Sequence, residues 1–166
     1  MKRLLFWAAV AAAALSGLNP FQSHDVAQLL PVQALTVDIE NGQVRLDSGA
    51  AKGSGKDLDA ALADLQQAAE GRVFLQTAEY VVLSPRALRL LPEVVQWQAL
   101  RPATAICAAE SALPDAESAA KYLQAHDPGV TLQQVQGALL RKEPAVLPVL
   151  EQTKGGLRLY GTEDDR

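Results

Sequence analysis

Four side chains in the sequence could in principle assemble a hydrolytic site. Ser84 could serve as a nucleophile and His126, beside Asp127, as its general base, while Glu79 and Glu110, near predicted strand ends, could form a carboxylate pair. The chain has no Gly-x-Ser-x-Gly elbow of the kind that exposes a nucleophilic serine, and acidic side chains are mostly exposed by default. We therefore predict no enzymatic activity and no catalytic residue. A small exported hydrolase built on Ser84 and scattered acids is the alternative.

A glycine-rich segment, residues 49–57, follows a predicted strand and precedes a predicted helix, as a phosphate-binding loop does. That motif requires a glycine, four residues, Gly-Lys and then a serine or threonine hydroxyl. Ala50 stands where the first glycine belongs, and Asp57 replaces the hydroxyl with a negative charge that repels phosphate. The segment is therefore predicted to be a flexible connection, and no cofactor is expected.

The residues that most often bind metals or form redox centres are scarce. One cysteine and two histidines cannot supply a common structural zinc site, and a lone cysteine excludes an intrachain disulfide. Cys107 lies in the apolar run 104–109, which predicts a buried strand in which the thiol behaves as a small hydrophobe. His24 and His126 each stand beside an aspartate and are assigned to the surface. Trp97 is predicted to be half-buried in the core, so no metal or ligand site is expected from these residues.

The overall composition is that of a folded protein. Of 166 residues, 49% are hydrophobic and 20% are charged, which is wrong for intrinsic disorder. The net charge of −4 provides no excess of Lys and Arg for contacts with phosphates, so nucleic acid is not an expected partner.

The first twenty residues differ from the rest and are typical of a targeting segment. Lys2 and Arg3 precede the apolar run 4–15, which is followed by small residues and is shorter than the roughly 20 residues that span a bilayer. Residues 1–20 are predicted to be a signal peptide or an N-terminal anchor, with membrane contact through residues 4–18 if they are not cleaved. The protein is then extracytoplasmic, either exported or anchored to the outer face of the cytoplasmic membrane. A cytosolic domain with an uncleaved anchor remains a further possibility.

Alternation of apolar and polar residues predicts an N-terminal β-hairpin. Residues 32–40 form the first strand, and its odd-numbered positions from Leu35 onwards share one apolar face. Asn41-Gly42 is the strongest short hairpin signal because both residues tolerate positive φ. Residues 43–47 then return as the second strand.

Further strands and helices alternate along the chain. Ser54 is expected to cap a first helix that has Asp57 in its first turn, and Thr131 to form a capping box with Gln134. Ser84 is expected to cap a second helix, which Pro92 either kinks or divides into two short helices. Helices are predicted over 56–69, 85–100, 114–124 and 131–142, and strands over 73–75 with 80–83, 103–109, 145–150 and 157–160. The predicted fold is a mixed α/β domain over 25–161, with a small mixed sheet, an N-terminal hairpin and about four helices. Residues 162–166 form a charged tail.

Loose hydrophobic patterns spread over residues 25–161 give the chain a family resemblance. Residues 31–42 (PVQALTVDIENG) are similar to an opening strand that ends in an aspartate before a turn, and 53–62 (GSGKDLDAAL) to the loop into a first helix. Residues 74–83 (FLQTAEYVVL) are similar to a second strand region, and 145–150 (AVLPVL) with 157–161 (LRLYG) to the link out of a first domain. In this order they resemble the N-terminal domain of the Ger(x)C-type spore germination proteins, the C subunit of nutrient germinant receptors.

The resemblance implies a non-enzymatic accessory or scaffold domain that acts beside a membrane receptor or transporter, with a membrane protein as its partner. Family members carry a lipidated cysteine after the leader and continue into further domains. Leu18 stands at the lipidation position in this chain, so the resemblance implies the family's first domain without its lipid anchor. The family supplies no catalytic residue to transfer.

Overall fold

The protein is described by a computed structural model that covers residues 29–161. The expected leader (residues 1–20), His24 and the expected charged tail (residues 162–166) lie outside the described residues.

The N-terminal hairpin is formed as predicted. Strand β2 (Ala34–Glu40) pairs antiparallel with β3 (Gln43–Asp47), and Glu40 lies opposite Gln43 across the turn. Asn41 and Gly42 adopt φ values of 52° and 79°, as a two-residue type I′ turn requires. The predicted start at residue 32 was two residues early, because the backbone N–H and C=O of Val32 bond the Thr77 hydroxyl instead of a neighbouring strand.

Two sheets make up the β structure of the described chain. The remaining strands are β1 (Leu29–Pro31), β4 (Lys52–Gly55), β5 (Arg72–Phe74), β6 (Tyr80–Leu83), β7 (Ala105–Ala109), β8 (Val149–Thr153) and β9 (Gly156–Tyr160). Seven strands form one mixed sheet in the order β4-β3-β2-β6-β7-β8-β9, in which β2, β6, β7 and β8 are parallel. β1 and β5 pair separately in parallel.

Four α-helices accompany the sheets within residues 29–161, which confirms the predicted mixed α/β class. They are α1 (Leu58–Ala68), α2 (Leu91–Val94), α3 (Ala116–Ala125) and α4 (Leu132–Leu140). Short 3₁₀ turns cover Leu75–Thr77 and Ala87–Leu90. None of the helices in this part of the chain is long and apolar enough to cross a membrane.

The segment predicted to be a flexible glycine-rich connection contains an edge strand, β4. Because glycine and lysine are poor strand formers, composition alone did not reveal it. The helix that follows begins at Leu58 rather than at Lys56, and its cap is Asp57, whose carboxylate accepts the Ala60 N–H at 2.8 Å. The predicted cap, Ser54, belongs to β4 instead.

The predicted helix over 85–100 is two short pieces, a 3₁₀ turn and α2, with Pro92 in the first turn of α2. Proline is tolerated there because the first N–H groups of a helix have no acceptor within it. Ser84 has the capping role predicted for it, since its hydroxyl accepts the Ala87 N–H at 3.0 Å.

The second half of the chain follows the predicted order with shifted boundaries. The Thr131–Gln134 capping box is present as predicted and opens α4. α3 begins at Ala116, two residues after the predicted start at 114, because Asp115 caps the helix and accepts the Ser118 N–H. β8 begins at Val149, so the first four residues of the predicted strand 145–150 lie outside it.

The two faces of the large sheet are covered unequally. Face one, which carries Leu35, Val37 and Ile39 of β2, packs against α1, α2 and α4. Face two packs against α3, whose Ala119, Ala120 and Leu123 join Val82, Cys107 and Leu150 in a second core cluster. Because α3 lies over β2 and β6, the β3–β4 end of face two is left open and forms a cleft.

A helix side chain covers a backbone N–H on each edge strand of the large sheet. Asp64 of α1 accepts the Ser54 N–H of β4 at 2.8 Å, and the Tyr122 hydroxyl of α3 accepts the Leu159 N–H of β9 at 3.1 Å. Unpaired edge groups invite pairing with another chain, so these two bonds protect the edges of the sheet.

Candidate functional site

The open part of face two forms a polar cleft of about 600 Å³. Alternation along β2 directs Thr36 and Asp38 towards its floor, on the side of the strand opposite the main core. The neighbouring strands contribute Arg45, Asp47 and Lys52 to the lining. The cleft therefore exists because polar side chains occupy a face of central strands that no helix covers.

One wall of the cleft is built by the segment that leads into α3. Leu113 and Pro114 give this wall an apolar surface, and Asp115 stands at the start of the helix. The carboxylate of Asp115 accepts the Ser118 N–H at 2.8 Å, and this hydrogen bond holds the pKa of Asp115 below its ordinary value. Its position is fixed by the helix that it caps.

Most charged groups of the cleft already have partners. Asp47 forms an ion pair with Lys52 (Oδ2 to Nζ, 3.0 Å) and accepts the Gly49 N–H. Arg45 forms an ion pair with Glu40 on the neighbouring strand. Asp64 accepts the Ser54 N–H, as described above. These groups shape the cleft, and their charges are largely satisfied within the protein.

Thr36 and Asp38 are the exceptions. Of the four buried polar residues in the described chain, Ser48, Ser84 and Thr104 have hydrogen-bonded side chains, whereas the Thr36 hydroxyl has no hydrogen bond within residues 29–161 although the residue is only 4% exposed. Every fully enclosed side-chain nitrogen or oxygen in that range has a partner, so this hydroxyl must open on the cleft.

The carboxylate of Asp38 lies two residues along the same strand face as Thr36, so the two side chains are neighbours on the floor. It forms no hydrogen bond or ion pair with any described residue. Its partner in strand register, Arg45, turns to Glu40 instead. The cleft thus presents one hydroxyl and one carboxylate that the protein leaves available.

The residues proposed from sequence for a hydrolytic site are not brought together. Ser84 is buried just after the carboxyl end of β6, where its hydroxyl is used as a cap. His126 ends α3 and stacks on the Tyr122 ring, with 4.2 Å between ring centroids. The next residue, Asp127, lies near Tyr80 at the amino end of β6, where burial, followed by the charges of Glu79 and Asp127, raises the Tyr80 pKa. Ser84 and His126 therefore lie towards opposite ends of β6.

The suggested carboxylate pair is separated in the same way. Glu79 precedes β6 and Glu110 follows β7, and these two strands are parallel neighbours. The two residues therefore lie at opposite ends of adjacent strands, six residues apart in register, or about 20 Å at 3.3 Å per residue. A shared catalytic role for this pair has no geometric basis.

Cys107 and Trp97 pack as predicted. Cys107 is fully buried in β7, and burial raises the pKa of its thiol to about 12. Trp97 packs partly buried against the main core and donates its indole N–H to Asp59 at 2.8 Å. No group of three metal-ligating side chains converges anywhere in residues 29–161.

The raised pKa of Cys107 predicts a loss of stability in alkaline solution. An ordinary thiol has a pKa of about 8.5, so between pH 8.5 and 12 the unfolded chain releases a proton that the native protein retains, and stability falls as the pH rises. Between pH 8 and 10.5 this effect grows by about 2.5 kcal/mol. We expect the difference in free energy of unfolding between the protein and its Cys107→Ala variant to narrow by that amount between pH 8 and 10.5, measured by urea denaturation. A constant difference would contradict the burial of the thiol.

The cleft residues Thr36 and Asp38 were not identified from the sequence, because only the apolar face of β2 was considered. Alternation in β2 was used to assign the apolar face, yet it equally places polar residues at 36 and 38 of a strand that has neighbours on both sides. Central strands of mostly parallel sheets are usually covered on both faces. An acidic and a hydroxyl residue on the second face was therefore the available sign of an uncovered patch.

The fold and the cleft define an α/β protein with a two-layered core and an open polar site on one side of its sheet. The chain matches no known protein-family model, and neither curated protein sequences nor solved structures show significant similarity to it.

Proposed function

We propose that the protein is a non-enzymatic extracytoplasmic accessory or scaffold domain that acts beside a membrane receptor or transporter, in the manner of a germinant-receptor C-subunit domain. The observation that carries the proposal is the targeting segment, in which two basic residues precede an apolar run of twelve. That segment directs the following α/β domain to the membrane or across it. The loose sequence resemblance to the germination proteins suggests that the partner is a membrane receptor or transporter.

The arrangement of the reactive side chains supports a binding role over the hydrolase alternative. Ser84 caps a turn, His126 stacks on a tyrosine, and Glu79 and Glu110 lie at opposite ends of adjacent strands. General acid–base and nucleophilic catalysis require such groups within hydrogen-bond reach of each other. The hydrolase hypothesis therefore has no assembled site among these residues.

The location can be tested with the full chain carrying a tag at its carboxyl end. Cells stripped of their outer layers are treated with protease before and after lysis, and the tagged domain is followed by immunoblot. We expect digestion before lysis, or release of the domain into the medium if the leader is cleaved. Protection until lysis would favour the cytosolic alternative and contradict the proposal.

The partner can be tested by co-expression with a defined candidate. The full chain is produced together with the multi-spanning receptor or transporter encoded next to it, and cross-linked membranes are purified through the tag. We expect the membrane protein in the purified fraction, and we expect an unrelated multi-spanning protein to be absent. If neighbouring membrane proteins fail to co-purify while the domain is extracytoplasmic, the scaffold role is wrong.

A further inference from the structure

The cleft on face two offers features that the proposed scaffold role does not use. Asp38 and Thr36 form its floor and lack partners in the described chain, although Thr36 is buried. Every fully enclosed side-chain nitrogen or oxygen of residues 29–161 has a partner, so the Thr36 hydroxyl keeps access to the cleft. A hydroxyl and a carboxylate that the protein leaves unpaired at the base of an open cleft can hydrogen-bond a ligand.

The charge of the lining favours a cation. Four aspartates, at positions 38, 47, 64 and 115, face two basic residues, at positions 45 and 52, which leaves a net charge of −2. The unpartnered group is itself one of the acids, Asp38, whereas both basic residues are held in ion pairs with Glu40 and Asp47. A positively charged ligand would pair with Asp38 and offset part of the negative charge of the cleft.

The geometry favours an organic cation over a metal ion. Divalent metals bind through several convergent oxygen, nitrogen or sulfur ligands, and no such group of three occurs between residues 29 and 161. An ammonium group needs only acceptors, which Asp38 and the Thr36 hydroxyl supply. Leu113 and Pro114 form an apolar wall on the other side. The volume of about 600 Å³ lies in the range of small-molecule sites, about 300–1,000 Å³.

We propose that this cleft binds a small organic molecule bearing a protonated primary amine. The Asp38 carboxylate serves as its counter-ion, the Thr36 hydroxyl accepts an ammonium N–H, and Leu113 and Pro114 contact its hydrocarbon part. Amine binding does not depend on the proposed association with a membrane protein, because it rests only on the side chains that line the cleft.

The test uses the isotope-labelled full chain and n-pentylamine as the probe, followed by amide chemical shifts. We expect saturable shifts confined to the backbone around residues 36–38 and 113–115, with affinity in the millimolar range for so small a ligand. n-Pentanol, which has the same chain without the charge, should bind at least tenfold more weakly. Equal binding of the alcohol, or shifts elsewhere only, would overturn the proposal.

Two substitutions and a control locate the effect. Asp38→Asn should weaken pentylamine binding at least tenfold, whereas Glu70→Gln, which removes the same charge from an exposed position beyond the end of α1 that does not line the cleft, should not. Thr36→Val should weaken binding severalfold without lowering the free energy of unfolding, because the hydroxyl has no partner to lose. Wild-type affinity in Asp38→Asn and Thr36→Val would show that the amine binds elsewhere.

Two further probes separate other ligand classes. Calcium chloride that displaces pentylamine at lower concentration would assign the cleft to a metal and overturn the amine. A capped Gly-Lys-Gly peptide that binds more than tenfold tighter than pentylamine would make a protein lysine the ligand, and would overturn the small-molecule assignment. If calcium and the peptide both bind more weakly than pentylamine, the small-amine assignment is supported.

Discussion

Replacing Gly53 with alanine should lower the free energy of unfolding by about 3 kcal/mol. Gly53 lies in edge strand β4 directly under α1, and a Cβ atom there would stand 2.3 Å from the Ala61 carbonyl oxygen and from the Leu65 backbone nitrogen. Both obstacles are backbone atoms of a helix, so no side-chain rotation relieves the clash. The helix must move away from β4, and the contacts of Leu65 with the core are loosened. Urea denaturation followed by circular dichroism measures the loss.

Gly155→Ala is the matched control for this experiment. Gly155 lies in the β8–β9 turn, where the nearest heavy atom to an added Cβ is the Thr153 hydroxyl oxygen at 3.9 Å, an ordinary contact distance. We expect its free energy of unfolding to change by less than about 0.5 kcal/mol. If Gly53→Ala were equally mild, the close contact between β4 and α1 would be wrong. The wall that Ser54 and Asp64 contribute to the cleft would then need to be reconsidered.

Leu123→Ala should destabilise the protein by about 3 kcal/mol through the cavity it leaves. Leu123 is fully buried beneath α3, in the cluster that joins this helix to Val82, Cys107 and Leu150 on face two. The other buried positions of α3 are alanines, Ala116, Ala119 and Ala120, which allow a close approach but bury little apolar surface. Leu123 therefore supplies most of the large apolar contact that holds α3 on the sheet.

Leu140→Ala removes the same atoms from a comparable place near the end of a helix. Leu140 is 79% exposed at the end of α4, and its substitution should change the free energy of unfolding by less than about 0.5 kcal/mol. Both changes replace leucine with alanine in a helix, so they share the same difference in helix propensity. The difference between their free energies of unfolding therefore reports the effect of burial. Comparable losses in the two variants would mean that α3 is not packed on face two.

The position of α3 also links stability to the candidate site. The helix covers part of face two and ends the cleft with the wall that includes Leu113, Pro114 and Asp115. A variant that loosens α3 should therefore weaken pentylamine binding as well as folding. Leu140→Ala should leave both properties unchanged, which separates the local role of α3 from general destabilisation.

Local signals in the sequence were sufficient for several elements. The Asn41-Gly42 turn and the Thr131–Gln134 capping box were found because the residues that form them are adjacent or three apart, and their backbone or hydrogen-bond requirements are met locally. The burial of Cys107 followed from an apolar run long enough for a strand. Ser84 was assigned as a cap rather than a nucleophile on the same local grounds.

Elements that depend on partners elsewhere in the chain were missed or only partly predicted. β4 has glycines where strands usually carry branched residues, and its place in the sheet depends on contacts with residues of α1 that lie eight to twelve positions further along. β1 was not predicted, and β5 was predicted only as residues 73–75 of a broken strand. Both strands have three residues and are defined by their pairing across more than forty residues. No local pattern specifies such contacts, since their free energy arises only when the chain has folded.

By itself, the sequence determined the mixed α/β class, the hairpin, the caps at Ser84 and Thr131 and the scarcity of metal-ligating residues, because each depends on composition or on neighbours within one turn of chain. Only the tertiary structure decided that Ser84 and His126 lie towards opposite ends of β6, that α3 covers part of face two, and that Thr36 and Asp38 meet in an open cleft. The physical reason is that the residues of a site come from different helices and strands. Their arrangement is set by how helices pack on the sheet, and that packing is a property of the whole core.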